Sequence, residues 1–380
     1  MLKKILIANR GEIAVRIVRA CSEMGIRSVA IYTEPDRYAL HVKRADESYS
    51  LGDDPLEGYL DPVRLVNLAV ETGCDAIHPG YGFLSENARF ARLCEQNGII
   101  FIGPKASVIE KMGDKTAARD SMRKAGVPIT PGSDGNLENI EEALTVADEI
   151  GYPIMIKATS GGGGRGIRRC DTPAELKQQF PRVISEATKA FGSAEVFMEK
   201  CIVNPRHIEV QVLADSHGNV VHLYERDCSI QRRNQKLIEI APSPQLTPEQ
   251  RNYIGGLAVK ATEAVGYENA GTVEFLLTGN QVYFMEMNTR IQVEHTITEQ
   301  ITGIDIVREQ LRIAAGETLR YRQEDIHYRG FALQFRINAE DPKNDFLPSF
   351  GRITHYYAPG GPGVRVDTAI YTGYEIPPYF

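Results

Sequence analysis

Short apolar runs alternate with amphipathic helical patterns over roughly the first 110 residues of the chain. The apolar runs predict β-strands at Lys4–Ala8, Ser28–Tyr32, Ala76–His78 and Ile99–Ile102. The helical spacing between them predicts α-helices at Ile13–Met24, Asp61–Thr72 and Glu86–Asn97. Strands and helices that alternate in this way form a parallel sheet covered by helices. The sequence therefore predicts an α/β fold for this part of the chain.

The turn between the first strand and the first helix, Asn9–Glu12, holds a single glycine. A dinucleotide-binding turn needs several glycines, so that the backbone can approach a pyrophosphate. An acidic pair, Glu34 and Asp36, follows the second strand, where a ribose-binding carboxylate would stand. Because the glycines are missing, we interpret this pair as part of a solvated loop.

Composition narrows the classes of function. The chain of 380 residues has a formal net charge of -7, which argues against a nucleic-acid partner. No apolar run approaches the roughly 18 residues that span a bilayer, so we expect no membrane segment. The six cysteines are scattered without a CxxC pair, which is typical of free thiols in a reducing compartment. We therefore expect a cytoplasmic protein.

A glycine-rich loop, KATSGGGGRGI, follows a predicted strand at Ile154–Ala158. It lies in a small module that begins after a linker at Val127–Leu137 and contains predicted helices at Leu137–Ile150 and Pro173–Ala190. Consecutive glycines let backbone N–H groups approach an anion, and Lys157 and Arg165 add positive charge. The loop is not a Walker A motif, so we interpret it as a mobile cover over phosphates. A flexible surface loop is the alternative.

Two hairpins are predicted further along the chain, and the second carries a pair of glutamates. The first joins His207–Leu213 to Val220–Glu225, and the second joins Thr272–Leu277 to Gln281–Met287. With a three-residue turn, Glu274 would lie opposite Phe284 and diagonal to Glu286, roughly 7–8 Å away. Two carboxylates at that separation favour a Mg²⁺ or Mn²⁺ ion between them. The alternative is a pair of exposed glutamates.

The segment EMNTRIQVEH places polar side chains at every second position. If it stays extended, one face carries Glu286, Asn288, Arg290, Gln292 and Glu294, while Ile291 and Val293 face the core. A carboxylate next to an arginine suits proton abstraction from a small bound anion. An ordinary amphipathic edge strand is the alternative.

A second basic stretch, ERDCSIQRRNQK, follows the first hairpin. A solvated charge run is the usual explanation of such a stretch. Cys228 and Ile230 interrupt it at alternate positions, which indicates partial burial. Cys228 is better interpreted as a small buried residue than as a nucleophile. Further on, Thr247 and Gln250 form a predicted capping box with Pro248 at the first helical position.

Taken together, the motifs resemble those of biotin carboxylase, the ATP-grasp component of biotin-dependent carboxylases such as acetyl-CoA carboxylase or pyruvate carboxylase. The resemblance covers essentially the whole chain through ANRGEIAVRI, HPGYGFLSEN, MGDK, KATSGGGGRGI, ERDCSIQRRNQK, EMNTRIQVEH, RINAEDP and APGG. It implies an ATP-grasp fold preceded by a Rossmann-like parallel α/β domain and followed by an incomplete α+β C-terminal domain. The implied boundaries are 1–114, 115–328 with a lid at about 131–203, and 329–380.

The resemblance also assigns roles to residues at matching positions. It implies that nucleotide and cofactor contacts come from Lys115, Lys157, Gly163, Gly164, Glu199, Lys200, Ile202, His207, Gln231, Asn234 and Leu276. The implied metal ligands are Glu274, Glu286 and Asn288, and the implied bicarbonate site comprises Lys236, Arg290, Gln292 and Val293. Glu294 matches the base that deprotonates bicarbonate, and Arg336 matches the group that stabilises the biotin enolate.

By resemblance, the chain would use ATP, Mg²⁺ or Mn²⁺, bicarbonate and carrier-bound biotin. The implied partners are a biotin carboxyl carrier protein or domain, a carboxyltransferase subunit and a second copy of the chain. A dimer face is expected around Arg16, Arg19, Glu23 and Arg365. Two substitutions depart from the family pattern: Asn234 replaces a frequent histidine that contacts ribose, and HTITE replaces HPVTE. The C-terminal domain of the family is expected to continue beyond Phe380.

Two other functions remain open at this point. One is a different ATP-grasp ligase, which would share the metal hairpin without needing both QRRNQK and EMNTRIQVEH. The other is a nucleotide-binding assembly subunit without activity. Intact Arg290, Glu294 and Arg336 favour an enzyme.

Overall fold

The computed structural model describes residues 2–159, 166–192 and 194–380. Its N-terminal part is a five-stranded parallel sheet with strand order β3-β2-β1-β4-β5, flanked by helices. The strands are β1 (Lys4–Ile7), β2 (Arg27–Tyr32), β3 (Glu47–Ser50), β4 (Ala76–His78) and β5 (Ile100–Phe101). The helices are α1 (Gly11–Glu23), α2 (Leu40–Arg44), α3 (Glu57–Leu60), α4 (Pro62–Glu71), α5 (Ala88–Gln96) and α6 (Ala106–Gly113). The predicted α/β fold is confirmed.

Strand β1 shows why this sheet is covered on both faces. Ile5 and Ile7 pack into one hydrophobic cluster with Ile13 and Ile17 of α1, whereas Leu6 packs into a second cluster with Phe90 of α5. Side chains alternate across a strand, so three consecutive apolar residues need a core on each side. Strand β3 has the sequence ESYS, without an apolar run, which is why the sequence analysis missed it.

The interpretation of Glu34 and Asp36 as one solvated loop is wrong for Asp36. This carboxylate is fully buried, and it accepts hydrogen bonds from Arg10 Nη2 at 2.6 Å and from the hydroxyl of Tyr59 at 2.7 Å. A buried carboxylate needs such partners because removing it from water is costly. Asp36 therefore anchors the first strand–helix turn to the helix pair that follows β3.

A small module with a three-stranded antiparallel sheet follows, in the order β7-β6-β8. Helix α7 (Lys115–Lys124) precedes it and packs with the core of the large sheet. The elements of the module are α8 (Ile140–Ile150), β6 (Ile154–Ala158), β7 (Ile167–Cys170), α9 (Pro173–Phe191) and β8 (Val196–Lys200). The segment predicted as a linker contacts two sheets. Gly132 forms a β-bridge with Glu199 of this small sheet, and Ile129 forms one with Phe284 of the six-stranded sheet described next. A Cβ atom at Gly132 would lie 2.3 Å from the carbonyl oxygen of Met198, so only glycine fits there. Most of the polyglycine loop, including Gly163, Gly164 and Arg165, lies outside the described residues.

The largest sheet has six strands in the order β13-β12-β9-β10-β11-β14. Its strands, all paired antiparallel, are β9 (Arg206–Ala214), β10 (Val220–Arg232), β11 (Gln235–Ala241), β12 (Asn269–Thr278), β13 (Gln281–Asn288) and β14 (Ala332–Phe335). Helices α10 (Pro248–Ala264), α11 (His295–Thr302) and α12 (Ile306–Ala314) accompany it. The capping box predicted at Thr247 and Gln250 is confirmed.

The basic stretch after the first hairpin is part of this sheet. Strand β10 continues as far as Arg232, and Arg233 and Asn234 form a two-residue turn into β11, with φ of 52° and 64°. Positive φ at both turn residues is the geometry that asparagine tolerates and that two-residue hairpins favour. The structure therefore places Lys236 on β11, next to β10. Its side chain points into the carboxylate cluster described below.

The predicted register of the second hairpin is wrong. The turn holds two residues, Gly279 and Asn280, because Thr278 pairs with Gln281. A bulge between Glu274 and Phe275 then shifts the ladder, so that Glu274 lies directly opposite Glu286 and Phe284 lies opposite Phe275. One extra residue on a strand brings a different pair face to face. The two glutamates are therefore direct cross-strand neighbours rather than diagonal ones.

The remaining chain contains two short ribbons. They pair β15 (Glu340–Asp341) with β16 (Leu347–Pro348) and β17 (Gly351–Arg352) with β18 (Glu375–Ile376). Strand β14 leads into this part and joins the six-stranded sheet beside β11, which brings Arg336 to the site described below. Of the helices in the described ranges, none is long and apolar enough to cross a membrane.

Candidate active site

Lys236 lies at the centre of a cluster of carboxylates. Its ammonium group contacts Glu209 at 2.5 Å, Glu274 at 3.0 Å and Glu294 at 2.8 Å. Burial alone would lower the pKa of Lys236, but the three carboxylates outweigh it and raise that pKa above its ordinary value. The lysine is therefore a permanent positive charge that holds three acidic side chains within reach of one another.

Glu274 collects donors from several elements. Its Oε1 atom accepts hydrogen bonds from the amides of Asn288 and Gln292, both at 2.8 Å, and its Oε2 atom lies 2.5 Å from Nε2 of His207. Burial favours the neutral acid, but His207 and Lys236 outweigh it and lower the pKa of Glu274. Burial also lowers the pKa of His207, yet the hydrogen bond to Glu274 raises it overall. Glu274 is therefore ionised at neutral pH.

Glu286 completes an acidic pair with Glu274 across the two strands. The side chain of Glu286 is exposed at one side. Partial loss of water contact next to the surrounding protein raises the pKa of Glu286, and repulsion from Glu274 and Glu86 raises it further. Two facing carboxylates, one of which resists ionisation because of the other, suit a hard divalent cation. Oxygens of Glu274, Glu286 and Asn288 fit Mg²⁺ or Mn²⁺, which would supply charge neutralisation when bound.

This raised pKa predicts a pH dependence of metal binding. Glu286 takes up a proton at a higher pH than an ordinary glutamate, so protons compete with the cation as the pH falls. We expect the affinity for the Mg²⁺–nucleotide complex to exceed that of Glu286→Gln at about pH 8 and to converge with it towards about pH 5. Calorimetric titration of both proteins across this range checks it, and titration of the nucleotide itself cancels in the ratio. A ratio that stays constant with pH would contradict this assignment.

Glu294 is held between two cations just before α11. It is 2% exposed, and its two oxygens contact Lys236 at 2.8 Å and Nη2 of Arg336 at 3.0 Å. Arg336 also donates from Nε to Glu239 at 2.7 Å. Although Glu294 stands at the N-terminal cap position of α11, its side chain does not cap the helix. The carboxylate therefore faces Lys236 and Arg336 in the site rather than the end of the helix.

The predicted polar strip is only partly correct. Strand β13 ends at Asn288, so the segment up to Glu294 is not a continuous strand. Its polar side chains still enter one region, because Arg290 donates to Asn288 at 2.9 Å and Gln292 donates to Glu274. Ile291 is in the core as predicted, whereas Val293 is only half-buried. Arg290 also pairs with Glu86 at 3.0 Å, a contact that the sequence did not reveal.

A second basic group lies at the edge of the small module. Lys157 and Arg119 both form ion pairs with Glu199, and Lys115 begins α7. Burial and the charge of Lys157 lower the pKa of Lys115. The ammonium of Lys200 donates to the carbonyl oxygens of Gly151 and Tyr152, both at 2.9 Å. Lys115 and Lys157 are therefore close enough to repel each other. Lys200 instead connects β8 to the turn before β6.

The other predicted contact residues differ in their surroundings. Gln231 donates to Nδ1 of His207 at 2.9 Å, which connects it to the Glu274 cluster. Ile202 and Leu276 are half-buried, and Asn234 is exposed at the turn between β10 and β11. Cys228 is fully buried, as predicted.

The sequence analysis missed Glu209, Arg226 and Glu239, which are fully buried beside the predicted residues. One signal was available: His207, Glu209 and Gln211 occupy alternate positions of β9, so their side chains share a face. A polar stripe inside an otherwise apolar strand is unusual in a core and indicates a buried site.

The six-stranded antiparallel sheet carries the paired carboxylates, and the small three-stranded sheet carries Lys157. This pair of sheets defines an ATP-grasp ligase. Comparisons with known proteins agree with this class. Residues 114–322 match the family described as carbamoyl-phosphate synthase L chain, ATP binding domain; residues 1–109 match the biotin carboxylase N-terminal domain, and residues 334–380 match the biotin carboxylase C-terminal domain. The chain belongs to the biotin carboxylase family.

Relatives cover the whole chain. It is 60% identical to the 2-oxoglutarate carboxylase small subunit of Hydrogenobacter thermophilus, with 100% of this chain and 81% of the relative aligned. It is 56% identical to biotin carboxylase 1 of Bacillus subtilis, with 100% and 85% aligned. The activity of this family is the ATP-dependent carboxylation of biotin with bicarbonate.

Solved structures are also similar. The biotin carboxylase domain dimer of the H. thermophilus 2-oxoglutarate carboxylase, in complex with MgADP, ADP and bicarbonate, superposes with a TM-score of 0.95 at 60% identity and covers 100% of this chain and 84% of that one. The biotin carboxylase of Campylobacter jejuni in an ATP complex gives 0.95 at 48% identity, with 100% and 85% covered.

Proposed function

We propose that the chain carboxylates carrier-bound biotin through carboxyphosphate, with the following division of roles. Lys115 and Lys157 bind the nucleotide phosphates, and Glu199, Lys200, Ile202, His207, Gln231, Asn234 and Leu276 line the rest of the nucleotide site. Glu274, Glu286 and Asn288 hold the metal ion. Lys236, Arg290, Gln292 and Val293 bind bicarbonate. The observation that carries the proposal is the position of Glu294, which contacts Lys236 and Arg336 beside the acidic pair.

The chemistry follows from these positions. Glu294 accepts the proton of bicarbonate, and the bicarbonate oxygen then attacks the γ-phosphorus while the bond to ADP breaks. The lysines offset the charge that develops on the transferred phosphoryl group. Carboxyphosphate divides into CO₂ and phosphate, and the phosphate takes the ureido proton of biotin. Arg336 stabilises the resulting negative oxygen, and the ureido nitrogen bonds to CO₂ to give carboxybiotin.

The test is ATP cleavage by the purified chain with free biotin. We expect cleavage that requires bicarbonate and is stimulated by biotin, with one carboxybiotin formed for each coupled turnover. Bicarbonate-dependent cleavage without any effect of biotin would favour another ATP-grasp ligase. Nucleotide binding without turnover would favour an inactive assembly subunit.

The domain division is part of the same proposal. Residues 1–114 form the N-terminal domain, residues 115–328 the ATP-grasp domain with a lid at about 131–203, and residues 329–380 belong to the C-terminal domain. Support comes from the separate sheets: the five-stranded sheet lies in the first domain, the six- and three-stranded sheets in the second, and the two short ribbons in the third. The three-stranded sheet belongs to the lid. Strand β14 is an exception, because it joins the sheet of the preceding domain.

We further propose that the enzyme acts in the cytoplasm as a homodimer with a biotin carboxyl carrier and a carboxyltransferase. All six cysteines are free thiols, which suits a reducing compartment. Arg16 is buried and pairs with Glu299 and Asp305 of the same chain, so it does not itself present its charge at the expected dimer face. Arg19, half exposed beside Asp367, presents its charge at that face.

A further inference from the structure

Arg226, in the middle of β10, is the largest side chain among those most deeply buried in the described structure. We infer that Arg226 is a positioning residue that orients the amide of Gln292 towards the substrate anion. This inference rests on the proposed bicarbonate site. It concerns a residue that does not itself touch substrate.

The guanidinium group of Arg226 makes contacts on every side. Nε donates to Glu209 at 2.5 Å, Nη1 donates to Gln211 at 2.8 Å and Thr298 at 3.0 Å, and Nη2 donates to Thr272 at 3.2 Å and Gln292 at 2.8 Å. These partners come from β9, β12, α11 and the loop before α11. A planar guanidinium with five acceptors has a single orientation, since each N–H group is already committed.

The contact with Gln292 determines which way its amide points. Gln292 accepts from Arg226 through Oε1 and donates to Glu274 through Nε2, at 2.8 Å each. Arginine has no acceptor, so a flipped amide would lose its hydrogen bond to Arg226 and turn its carbonyl oxygen towards the carboxyl group of Glu274. Gln292 is 4% exposed, so water does not readily replace the lost hydrogen bond.

The amide NH₂ of Gln292 carries two hydrogens, and Glu274 uses one of them. Within the described residues, the second meets no other acceptor, so it is available to an anion. If the amide were free to flip, its carbonyl oxygen would face the same anion and repel it. Arg226 therefore ensures that the site offers a donor at this position.

Arg226 also sets the charge behind Lys236. It pairs with Glu209, whose other oxygen contacts Lys236 at 2.5 Å. Arg226 therefore holds the carboxylate that contacts Lys236. One arginine supports two groups of the proposed bicarbonate site from behind.

The test compares Arg226→Met with a matched control, Arg251→Met. Arg251 is also a buried arginine that pairs with a buried glutamate, Glu225, at 2.8 Å, and it lies on α10. We expect Arg226→Met to raise the KM for bicarbonate by about tenfold or more, with the KM for MgATP within about twofold of wild type. Arg251→Met should lower thermal stability and leave both KM values unchanged.

The inference is overturned if Arg226→Met keeps the wild-type KM for bicarbonate, if both KM values rise together, or if the control shows the same change. Should Arg226→Met fail to fold, Thr272→Val decides, because it removes an acceptor that holds Nη2 beside Gln292. A rise of about threefold in the bicarbonate KM supports the inference, and no rise overturns it. Thr262→Val, where the hydroxyl bonds to the carbonyl of Ala258, is its control.

Failure of the proposed function is recognised separately. A wild-type chain without bicarbonate-dependent ATP cleavage would refute the proposed function before any variant is compared. If the wild-type chain is active and Arg226→Met keeps the wild-type KM for bicarbonate, only the inference about Arg226 is refuted.

Discussion

Glu294→Gln should lower the rate of biotin carboxylation by about 10²–10⁴-fold and leave nucleotide affinity within a few-fold of wild type. Glutamine keeps the size of glutamate but cannot accept the bicarbonate proton. Glu294 contacts Lys236 and Arg336, neither of which is a proposed phosphate contact. The substitution should therefore leave the proposed contacts of Lys115 and Lys157 with the nucleotide in place. Carboxybiotin formation under saturating substrates measures the rate, and calorimetric titration with ATP measures the affinity.

Glu309→Gln is the matched control for this substitution. Glu309 is also a buried glutamate in an ion pair, with Arg312 on α12, outside the site. It should change stability without lowering the rate of carboxylation. Activity of Glu294→Gln close to wild type would remove Glu294 as the base, and an equal loss in Glu309→Gln would point to a folding defect instead.

Neutralising the acidic pair should weaken binding of the Mg²⁺–ATP complex. We expect a loss of roughly 10–100-fold for Glu274→Gln and a larger one for the Glu274→Gln/Glu286→Gln double variant, since the cation loses charged oxygen ligands. Glu274→Gln also removes the carboxylate partner of His207 and one of the three carboxylate partners of Lys236, so it should exceed Glu286→Gln in effect. Titration of Mg²⁺ at fixed ATP, read as nucleotide affinity, measures the change.

Glu268→Gln serves as the control for the acidic pair. Glu268 precedes β12 and pairs with Lys105 at 2.6 Å, away from the carboxylate cluster. Its substitution should leave the Mg²⁺ dependence as in wild type. Unaltered metal dependence in the double variant would show that these two glutamates do not hold the ion.

Much of the site could be predicted because its residues lie in short recognisable segments. The pairing of β12 with β13 by a tight turn made Glu274 and Glu286 neighbours from the sequence alone, and alternation placed Gln292 and Glu294 on one side. The partner of Glu274 was wrong by two residues. The turn is one residue shorter than predicted, and the bulge beside Glu274, which leaves no mark in the hydrophobic pattern, adds a second residue to the shift.

Contacts between segments far apart in the chain could not be predicted from the sequence. Arg226 and Gln292 are 66 positions apart, and Arg336 and Glu239 are 97 apart. The alternation of Cys228 and Ile230 indicated partial burial of the stretch around Arg226, but it did not show that the arginine itself is fully buried. Asp36 gives the same lesson, since a short acidic loop proved to be anchored in the interior by Arg10 and Tyr59.

The chain's residues by themselves determined strands β1, β2, β4 and β5 and helices α1, α4 and α5 of the N-terminal part, the capped start of α10, and most of the acidic, basic and amide groups in the site. Local periodicity carries that information, because burial of one face requires apolar residues at fixed spacing. The tertiary structure alone decided that Lys236 contacts three carboxylates from β9, β12 and the loop before α11. Strand order, bulges and packing across the sheet set those distances, and each depends on parts of the chain far from the residues they bring together.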